Sequence, residues 1–148
     1  MNIYIAGAYS RQSELRIVAV RLAWAGNPCT SRWLKIETKS LAEGAAVDVY
    51  DIKRADLILR FSDPEYMDES SDTVPRRLLS AARMTEVGLG LAWKKKVAVI
   101  GGHQNAFDHL PQVMHFDTLE DFMQWLQVFE SVESLLQEPS RTLQCGAA

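Results

Sequence analysis

The segments IYIA (residues 3–6), DLILRF (56–61) and VAVI (97–100) decide the fold. Each is short, continuously apolar and rich in β-branched residues, as strands are when helices cover both faces of their sheet. Apolar residues at helical spacing lie between the first two segments and stop at Gly26, which suits the position just after a helix. They are Leu15, Val18, Ala19, Leu22 and Ala23. Strands that alternate with helices predict a parallel sheet in an α/β domain.

The rest of the chain continues this alternation. Further helices are predicted over about 41–55, 78–93 and 119–136, the last capped by Thr118 with Asp121 three residues later. Weaker strand patterns occur near 28–33 and at 113–116. We therefore expect a single doubly wound, flavodoxin-like α/β domain over residues 1–138, with about five mainly parallel strands flanked by helices. Residues 139–148 lack periodicity and are expected to form a flexible tail.

Composition excludes several classes of protein. The net charge of −3 comes from acidic and basic residues mixed along the chain, so no nucleic-acid polymer is expected as a partner. No apolar run approaches the roughly 20 residues of a membrane span, and the first strand begins without a basic leader, so we expect a cytoplasmic protein. Cys29 and Cys145 lack metal or redox spacing, and the three histidines are too widely spaced for a metal-binding helix face. Neither a metal nor a cofactor is predicted.

Two carboxylates lie within predicted helices at positions that the sequence pattern does not explain. The stripe of residues 41, 45, 48, 52 and 55 places Asp48 on the core-facing side of its helix, where it either bonds a neighbouring backbone group or faces a pocket. Arg83 and Glu86 are i,i+3 neighbours on a helix weakened by Gly88 and Gly90. They form either a surface ion pair or part of a site. Periodicity leaves both alternatives open.

Three loops supply other candidates at the carboxyl edge of the sheet. AGAYSR (6–11) offers backbone N–H groups and small residues where a helix begins, which suits an anion or a sugar hydroxyl. The acidic segment 62–76 is predicted to be a loop at the ligand-binding edge. The loop GGHQNAFDHLP (101–111), with His103 and Asn105, has the glycines needed to close over a ligand.

Four segments taken in order resemble the nucleoside 2-deoxyribosyltransferase superfamily, which includes the 2′-deoxynucleoside 5′-phosphate N-hydrolases. The resemblance covers roughly residues 2–126, and its segments are IYIAGAYSR, AAVDVYDIKRADLIL, ARMTEVGLGLAWKKKVAVIG and NAFDHLPQVMHF. It implies that Glu86, in a helix similar to the family's E-x-G-x-A, is the catalytic nucleophile. Asp48, eight residues before Asp56, is implied to assist catalysis, and Tyr4 to hydrogen-bond the nucleophile.

The resemblance also implies residues that bind the substrate. Gly7, Ala8, Tyr9 and Ser10 correspond to the family's first loop, and Ser80 matches the phosphate-binding serine of the hydrolases. Asn105 matches a position from which a neighbouring subunit reaches the 5′ group, an asparagine in the transferases, so at least a homodimer is expected. Ser10 stands where the hydrolases have a phosphate-binding arginine, which leaves Arg11 and Arg83 as the candidate cations. Ser31 and Trp33 are candidate base contacts, although Trp33 is an equally good core residue.

These roles imply cleavage of the N-glycosidic bond of 2′-deoxynucleoside 5′-monophosphates through a covalent glycosyl-enzyme intermediate, with water or a second base as acceptor. One alternative is a transferase acting on unphosphorylated deoxynucleosides, which Asn105 favours and Ser80 opposes. Another is a non-catalytic nucleotide-binding module, because a fold alone does not specify an activity. The catalytic account requires the pKa of Asp48 to lie above that of Glu86, so that Asp48 acts as the acid.

Overall fold

The computed structural model of the protein describes residues 1–37, 40–62 and 74–137, and of residues 74–80 and 137 the backbone alone. The strands are β1 (Ile3–Ala6), β2 (Leu57–Phe61), β3 (Lys96–Ile100) and β4 (Val113–Phe116). The α-helices are α1 (Gln12–Trp24), α2 (Leu41–Arg54), α3 (Val74–Ala92) and α4 (Leu119–Gln137). Short 3₁₀ turns cover Tyr9–Arg11, Arg32–Leu34 and Ala106–His109. Each predicted helix and each of the three defining strands is confirmed.

The sheet has four parallel strands within the described residues, in the order β1-β2-β3-β4. A fifth strand near residues 28–33 was expected, and this prediction is wrong: only one parallel bridge forms there, between Ile3 and Cys29. The Ser31 hydroxyl bonds the N–H and the C=O of Ile5, so a side chain replaces the backbone ladder at that point. The bridge still lies beside β1, where the second strand of a flavodoxin-like sheet runs.

Two hydrophobic cores cover the two faces of the sheet. Ile3 and Ile5 of β1 pack in the core that also contains residues of α1 and α4. Tyr4 and Ala6 point to the opposite face, toward residues of α2 and α3. This alternation follows from the two-residue period of a strand. It directs the hydroxyl-bearing Tyr4 into the layer that contains Asp48 and Glu86.

The helix ends follow the predicted chemistry with one exception. Gly26 follows α1 with a positive φ of 86°, a backbone conformation that glycine adopts readily. Thr118 and Asp121 bond each other's backbone N–H groups and cap α4 as expected. The predicted loop 62–76 is wrong at its end, because α3 already begins at Val74. Residues 63–73 of the predicted loop and the tail 139–148 lie outside the described residues.

The backbone of α3 approaches the sheet closely at one glycine. A Cβ on Gly90 would lie 2.5 Å from Cγ1 of Ile58 in β2, whereas Gly88 faces open space. Gly90 therefore lets α3 pack close to the strands. None of the helices in the described ranges is long and apolar enough to cross a membrane.

Candidate active site

A cleft of about 630 Å³ opens where the segment after β1 meets α2 and α3. The carboxyl end of β1 leads into it, so it lies at the edge of the sheet where ligands bind in doubly wound folds. Its wall is mostly apolar, with a small number of charged groups, as is usual for small-molecule sites. Its lining residues are Gly7, Ala8, Tyr9, Trp33, Ile36, Glu37, Leu41, Gly44, Ala45, Val47, Asp48, Ala82, Arg83 and Glu86.

Tyr4 and Glu86 meet at the base of this cleft. The Tyr4 hydroxyl donates a hydrogen bond of 2.8 Å to Oε1 of Glu86. Tyr4 is fully buried in β1, and its pKa is raised well above its usual value, first by burial and then by the negative charge of Glu86 and of Asp48. It therefore stays protonated and acts as a fixed donor to the carboxylate. This is the pairing that the family resemblance implies.

Asp48 faces the same cleft from α2. Its side chain is half-buried, and its Oδ1 atom is buried without a hydrogen-bond partner among the described residues. Burial raises the pKa of Asp48, and the charge of Asp51 raises it further, whereas the hydrogen bond from Tyr4 and the charge of Arg32 oppose the rise. Of the two alternatives for Asp48, the cleft-facing carboxylate is the one that the structure presents.

Glu86 has the more strongly perturbed carboxyl group of the pair. Burial raises the pKa of Glu86 to about 8, against the lowering effect of its hydrogen bond from Tyr4. The charge of Asp48 contributes to the rise, and the charge of Arg83 opposes it. The expected order, with the pKa of Asp48 above that of Glu86, finds no support here, because Glu86 is the more deeply desolvated of the two.

Arg83 is a buried residue of the cleft wall. Its side chain is only 3% exposed, so the alternative of an ordinary surface ion pair with Glu86 is wrong. One turn of α3 separates the two residues, and the positive charge of Arg83 lowers the pKa of Glu86. Arg83 is therefore a cation directed at the same space as the two carboxylates.

Aromatic and aliphatic side chains surround the opening of the cleft. Tyr9 and Trp33 line it with their ring centroids 6.5 Å apart, and the Trp33 indole N–H is fixed by a 2.9 Å bond to the C=O of Ile5. Trp33 also packs against both cores, so it belongs to the core and lines the cleft at the same time. Leu41 was expected to face the core, and this is wrong: it is 95% exposed at the cleft, beyond the reach of the sheet.

Three predicted substrate contacts lie away from the cleft lining. The Arg11 guanidinium donates to both carboxylate oxygens of Glu14 and to the C=O of Ser62, and it lies over the Phe61 ring. Ser10 is exposed on the turn after β1, and Ser31 is buried with its hydroxyl on the Ile5 backbone. The structure does not bring these three residues to the carboxylates.

Asn105 is engaged within its own chain. Its side-chain oxygen accepts from the Phe107 N–H at 2.8 Å, and its Nδ2 lies 3.1 Å from Oδ1 of Asp108 and 2.7 Å from Sδ of Met84. Asn105 does not line the cleft of this chain, and its predicted reach into a neighbouring subunit stays a prediction. The side chain of Ser80 lies outside the described residues, although its backbone belongs to α3.

The three histidines are separated in sequence but come together in space. The His103 ring stacks on His109 and on His115, with centroid distances of 4.4 Å and 4.0 Å. Their rings are stacked face to face, and no group of histidine, cysteine, aspartate or glutamate among the described residues is arranged to hold a metal ion. His103 and His109 lie in the segment after β3, and His115 lies in β4. None of the three lines the cleft.

Sequence reasoning missed several lining residues. Glu37 and Ile36 lie in the irregular segment before α2, where no periodicity exists to indicate a direction. Gly44 and Ala45 give α2 a small-residue surface toward the cleft. The GAA run (44–46) near Asp48 could have indicated that this side of α2 faces a cleft, since small residues on a helix leave room for a neighbouring group.

Neither a family model nor a curated protein sequence matches the chain. Among solved structures, the CMP N-glycosidase BcmB of Clostridium botulinum is similar at 17% identity and a TM-score of 0.56, covering 86% of this chain and 99% of that one. The TIR domain of the Toll-related receptor TRR-2 of Hydra magnipapillata is similar at 11% identity and a TM-score of 0.57, covering 88% and 97%. At these identities, the similarity establishes that the chain shares their α/β fold.

Proposed function

We propose that the protein belongs to the nucleoside 2-deoxyribosyltransferase superfamily and cleaves the N-glycosidic bond of 2′-deoxynucleoside 5′-monophosphates with retention. One observation carries this proposal: the Tyr4 hydroxyl holds Glu86 at 2.8 Å in a cleft that Asp48 also lines. Two carboxyl groups facing one cleft, one to act as nucleophile and the other as general acid, are what a retaining glycosidase requires. The fold shared with a CMP N-glycosidase supports the same reaction class.

Glu86 is the nucleophile in this proposal. Departure of the base leaves positive charge on the sugar, which a carboxylate on the opposite face stabilises and then captures as a glycosyl ester. The hydrogen bond from Tyr4 fixes one oxygen of Glu86 and leaves the other for the anomeric carbon. Attack by water, or by a second base, on the same carbon releases Glu86 and restores the original configuration.

The proton on the carboxyl pair is central to the mechanism. With the pKa of both carboxyl groups raised, and that of Glu86 to about 8, the pair shares one proton near neutral pH. Catalysis needs Glu86 ionised and Asp48 protonated. Positive charge developing beside Glu86 favours its ionised form, so the transition state draws the proton toward Asp48. Asp48 then delivers a proton to the departing base and later accepts one from the incoming nucleophile.

Two observations favour different candidates for the 5′ end of the substrate. Arg83 supplies a buried positive charge for a 5′-phosphate, beside the Ser80 position that matches the phosphate-binding serine of the hydrolases. The described lining also carries three carboxyl groups, those of Glu37, Asp48 and Glu86. That negative balance favours the second candidate, a transferase acting on unphosphorylated deoxynucleosides.

The base is proposed to bind at the aromatic opening of the cleft. Tyr9 and Trp33 are close enough for a flat ring to contact both, and the bond from the Trp33 indole to the Ile5 C=O holds that surface rigid. This places the base near Asp48 and the 5′ group near Arg83 on α3. We also propose a homo-oligomer in which Asn105 approaches a neighbouring cleft.

A substrate panel tests the proposal. The protein is incubated with deoxynucleosides and their 5′-monophosphates, each with and without a second free base, and the products are separated by chromatography. Release of free base from monophosphates supports the hydrolase, and base exchange on unphosphorylated nucleosides supports the transferase. Tight binding without product in any reaction contradicts both and supports a nucleotide-binding module. Glu86→Gln serves as the inactive control.

A further inference from the structure

Arg60 is the most unexpected residue in the sheet. It lies in β2, which the sequence marks as an apolar strand buried on both faces, and its side chain is fully buried. In the strand register it lies between Ala6 of β1 and Val99 of β3, at the same sheet edge as the cleft. A buried guanidinium requires a partner that repays the loss of its hydration.

That partner is Asp108. Nη2 of Arg60 lies 2.7 Å from Oδ2 of Asp108, which is 1% exposed, and Nη1 donates to Oε1 of Gln104 at 3.1 Å. The Asp108 carboxylate also accepts from the backbone N–H groups of Gln104 and Asn105, at 2.7 Å and 3.3 Å. A single buried carboxylate thus shapes the segment after β3 around Arg60.

This segment contacts the helix that carries the proposed nucleophile. Nδ2 of Asn105 bonds Oδ1 of Asp108 and lies 2.7 Å from Sδ of Met84. Met84 lies in α3 next to Arg83 and two residues before Glu86. A continuous set of contacts therefore runs from Arg60 through Asp108 and Asn105 to the catalytic turn of α3.

Stability alone is a weak reason for such a pair. Replacing a buried ion pair by apolar side chains of similar volume is often neutral or stabilising, although removing one partner alone is costly. The sheet around Arg60 is apolar, so a hydrophobic residue at that position would fit the surrounding core. The pair does, however, fix hydrogen-bond directions, which apolar packing does not.

We infer that the Arg60–Asp108 ion pair is a positioning unit that holds the Arg83–Glu86 turn of α3 against the cleft, through Asn105 and Met84. The inference rests on the proposed function for its kinetic consequence. Its structural consequence is independent of that function: without the pair, the turn shifts and water gains access to Glu86. A displacement of about 1 Å at a reacting group is enough to lower a rate about a hundredfold.

The test uses the paired substitution Arg60→Met with Asp108→Leu, which removes the ion pair without leaving a lone buried charge. Glu86 is titrated by carbon-13 NMR of labelled glutamate, and kcat and KM are measured with the best substrate of the panel. We expect the Glu86 pKa to move down from about 8, because burial is its main cause, and kcat to fall at least about tenfold with little change in KM. The matched control is Arg21→Met with Glu120→Leu, an exposed pair linking α1 and α4, which should change neither quantity.

The outcomes separate the inference from the proposed function. A folded paired variant with the wild-type Glu86 pKa and the wild-type kcat overturns the inference. If the wild type cleaves no substrate, the proposed function fails, and the titration alone decides the inference. If the paired variant does not fold, Met84→Ala replaces it, since it keeps the ion pair and removes the contact with α3; an unchanged Glu86 pKa in that variant also overturns the inference.

Discussion

The Tyr4 hydroxyl and Oε1 of Glu86 lie 2.8 Å apart although 82 positions separate the two residues in the chain. Tyr4 lies on β1 and Glu86 on α3, so the sheet and the helix layer must both be in place before the bond can form. The buried phenol donates a hydrogen bond to the carboxylate and favours its charged form. This bond is the clearest link between the fold and the proposed chemistry.

Replacing the nucleophile should abolish activity and spare the fold. Glu86→Gln keeps the side-chain shape but removes the nucleophilic oxygen, and we expect kcat to fall by about a thousandfold or more. Chromatography of released base measures the loss, and circular dichroism checks the fold. Glu133→Gln, an exposed position on α4, is the matched control and should retain full activity. Turnover near the wild-type rate in the Glu86 variant would remove Glu86 from the mechanism.

Asp48→Asn should slow the step that protonates the base. Loss of a general acid typically costs a factor of about 10² to 10⁴, with the larger effect on bases that leave poorly. Because the charge of Asp48 raises the pKa of Glu86, the same substitution should lower that pKa. Rates over a set of bases of different basicity measure the first effect, and NMR titration the second. Equal loss for good and poor leaving bases would argue against the acid role.

The pH dependence of kcat/KM should be bell-shaped. Activity requires one proton on the carboxyl pair, so it falls on the acid side when both groups are protonated and on the alkaline side, near pH 8, when both are ionised. Tyr4→Phe removes a hydrogen bond that lowers the Glu86 pKa, which should move the alkaline limb to higher pH. An alkaline limb that stays in place in this variant would mean that Tyr4 does not act on Glu86.

Stability should decrease as the pH rises. The folded-state pKa of Glu86, about 8, lies above its ordinary value of 4.5, so the unfolded chain loses this proton first, and stability present below pH 4.5 is lost as the pH rises through 8. The loss is on the order of 5 kcal/mol, at about 1.4 kcal/mol per unit of pKa difference. Urea unfolding from pH 5 to 9 measures it. Glu86→Gln should remove this pH dependence and be more stable than the wild type at pH 9; parallel curves for the two proteins would refute the pKa assignment.

The sequence predicted elements well where periodicity reports on burial. The three apolar strands, the α1 boundary at Gly26 and the Thr118 cap of α4 were all confirmed, because each depends on local chemistry. The segment 28–33 was mistaken for a strand because the Ser31 side chain takes over the bonds of Ile5, which propensity does not encode. Leu41 fits the apolar stripe of α2, yet it lies beyond the edge of the sheet.

For the site, periodicity alone marked Asp48 as out of place and did not decide whether Glu86 belongs to a surface ion pair or to a site. The resemblance supplied the pairing of Tyr4 with Glu86, and the structure brings the two together. Pattern did not reveal that the pKa of Glu86 is raised to about 8, since desolvation depends on the packed helices and not on neighbours in sequence. It also did not reveal that Arg11 is held by Glu14 and Ser62.

The central claim is that Glu86 forms a covalent bond to the sugar, and mass spectrometry of the trapped protein tests it most directly. The protein is mixed with its best substrate, quenched in acid within milliseconds and digested. The account predicts a peptide containing Glu86 heavier by the glycosyl group and absent from Glu86→Gln. With a substrate whose base leaves readily without protonation, this peptide should persist longer in Asp48→Asn, which lacks the group that activates the acceptor. Active protein that never carries the sugar on Glu86 under these conditions, or carries it on another residue, would contradict the account.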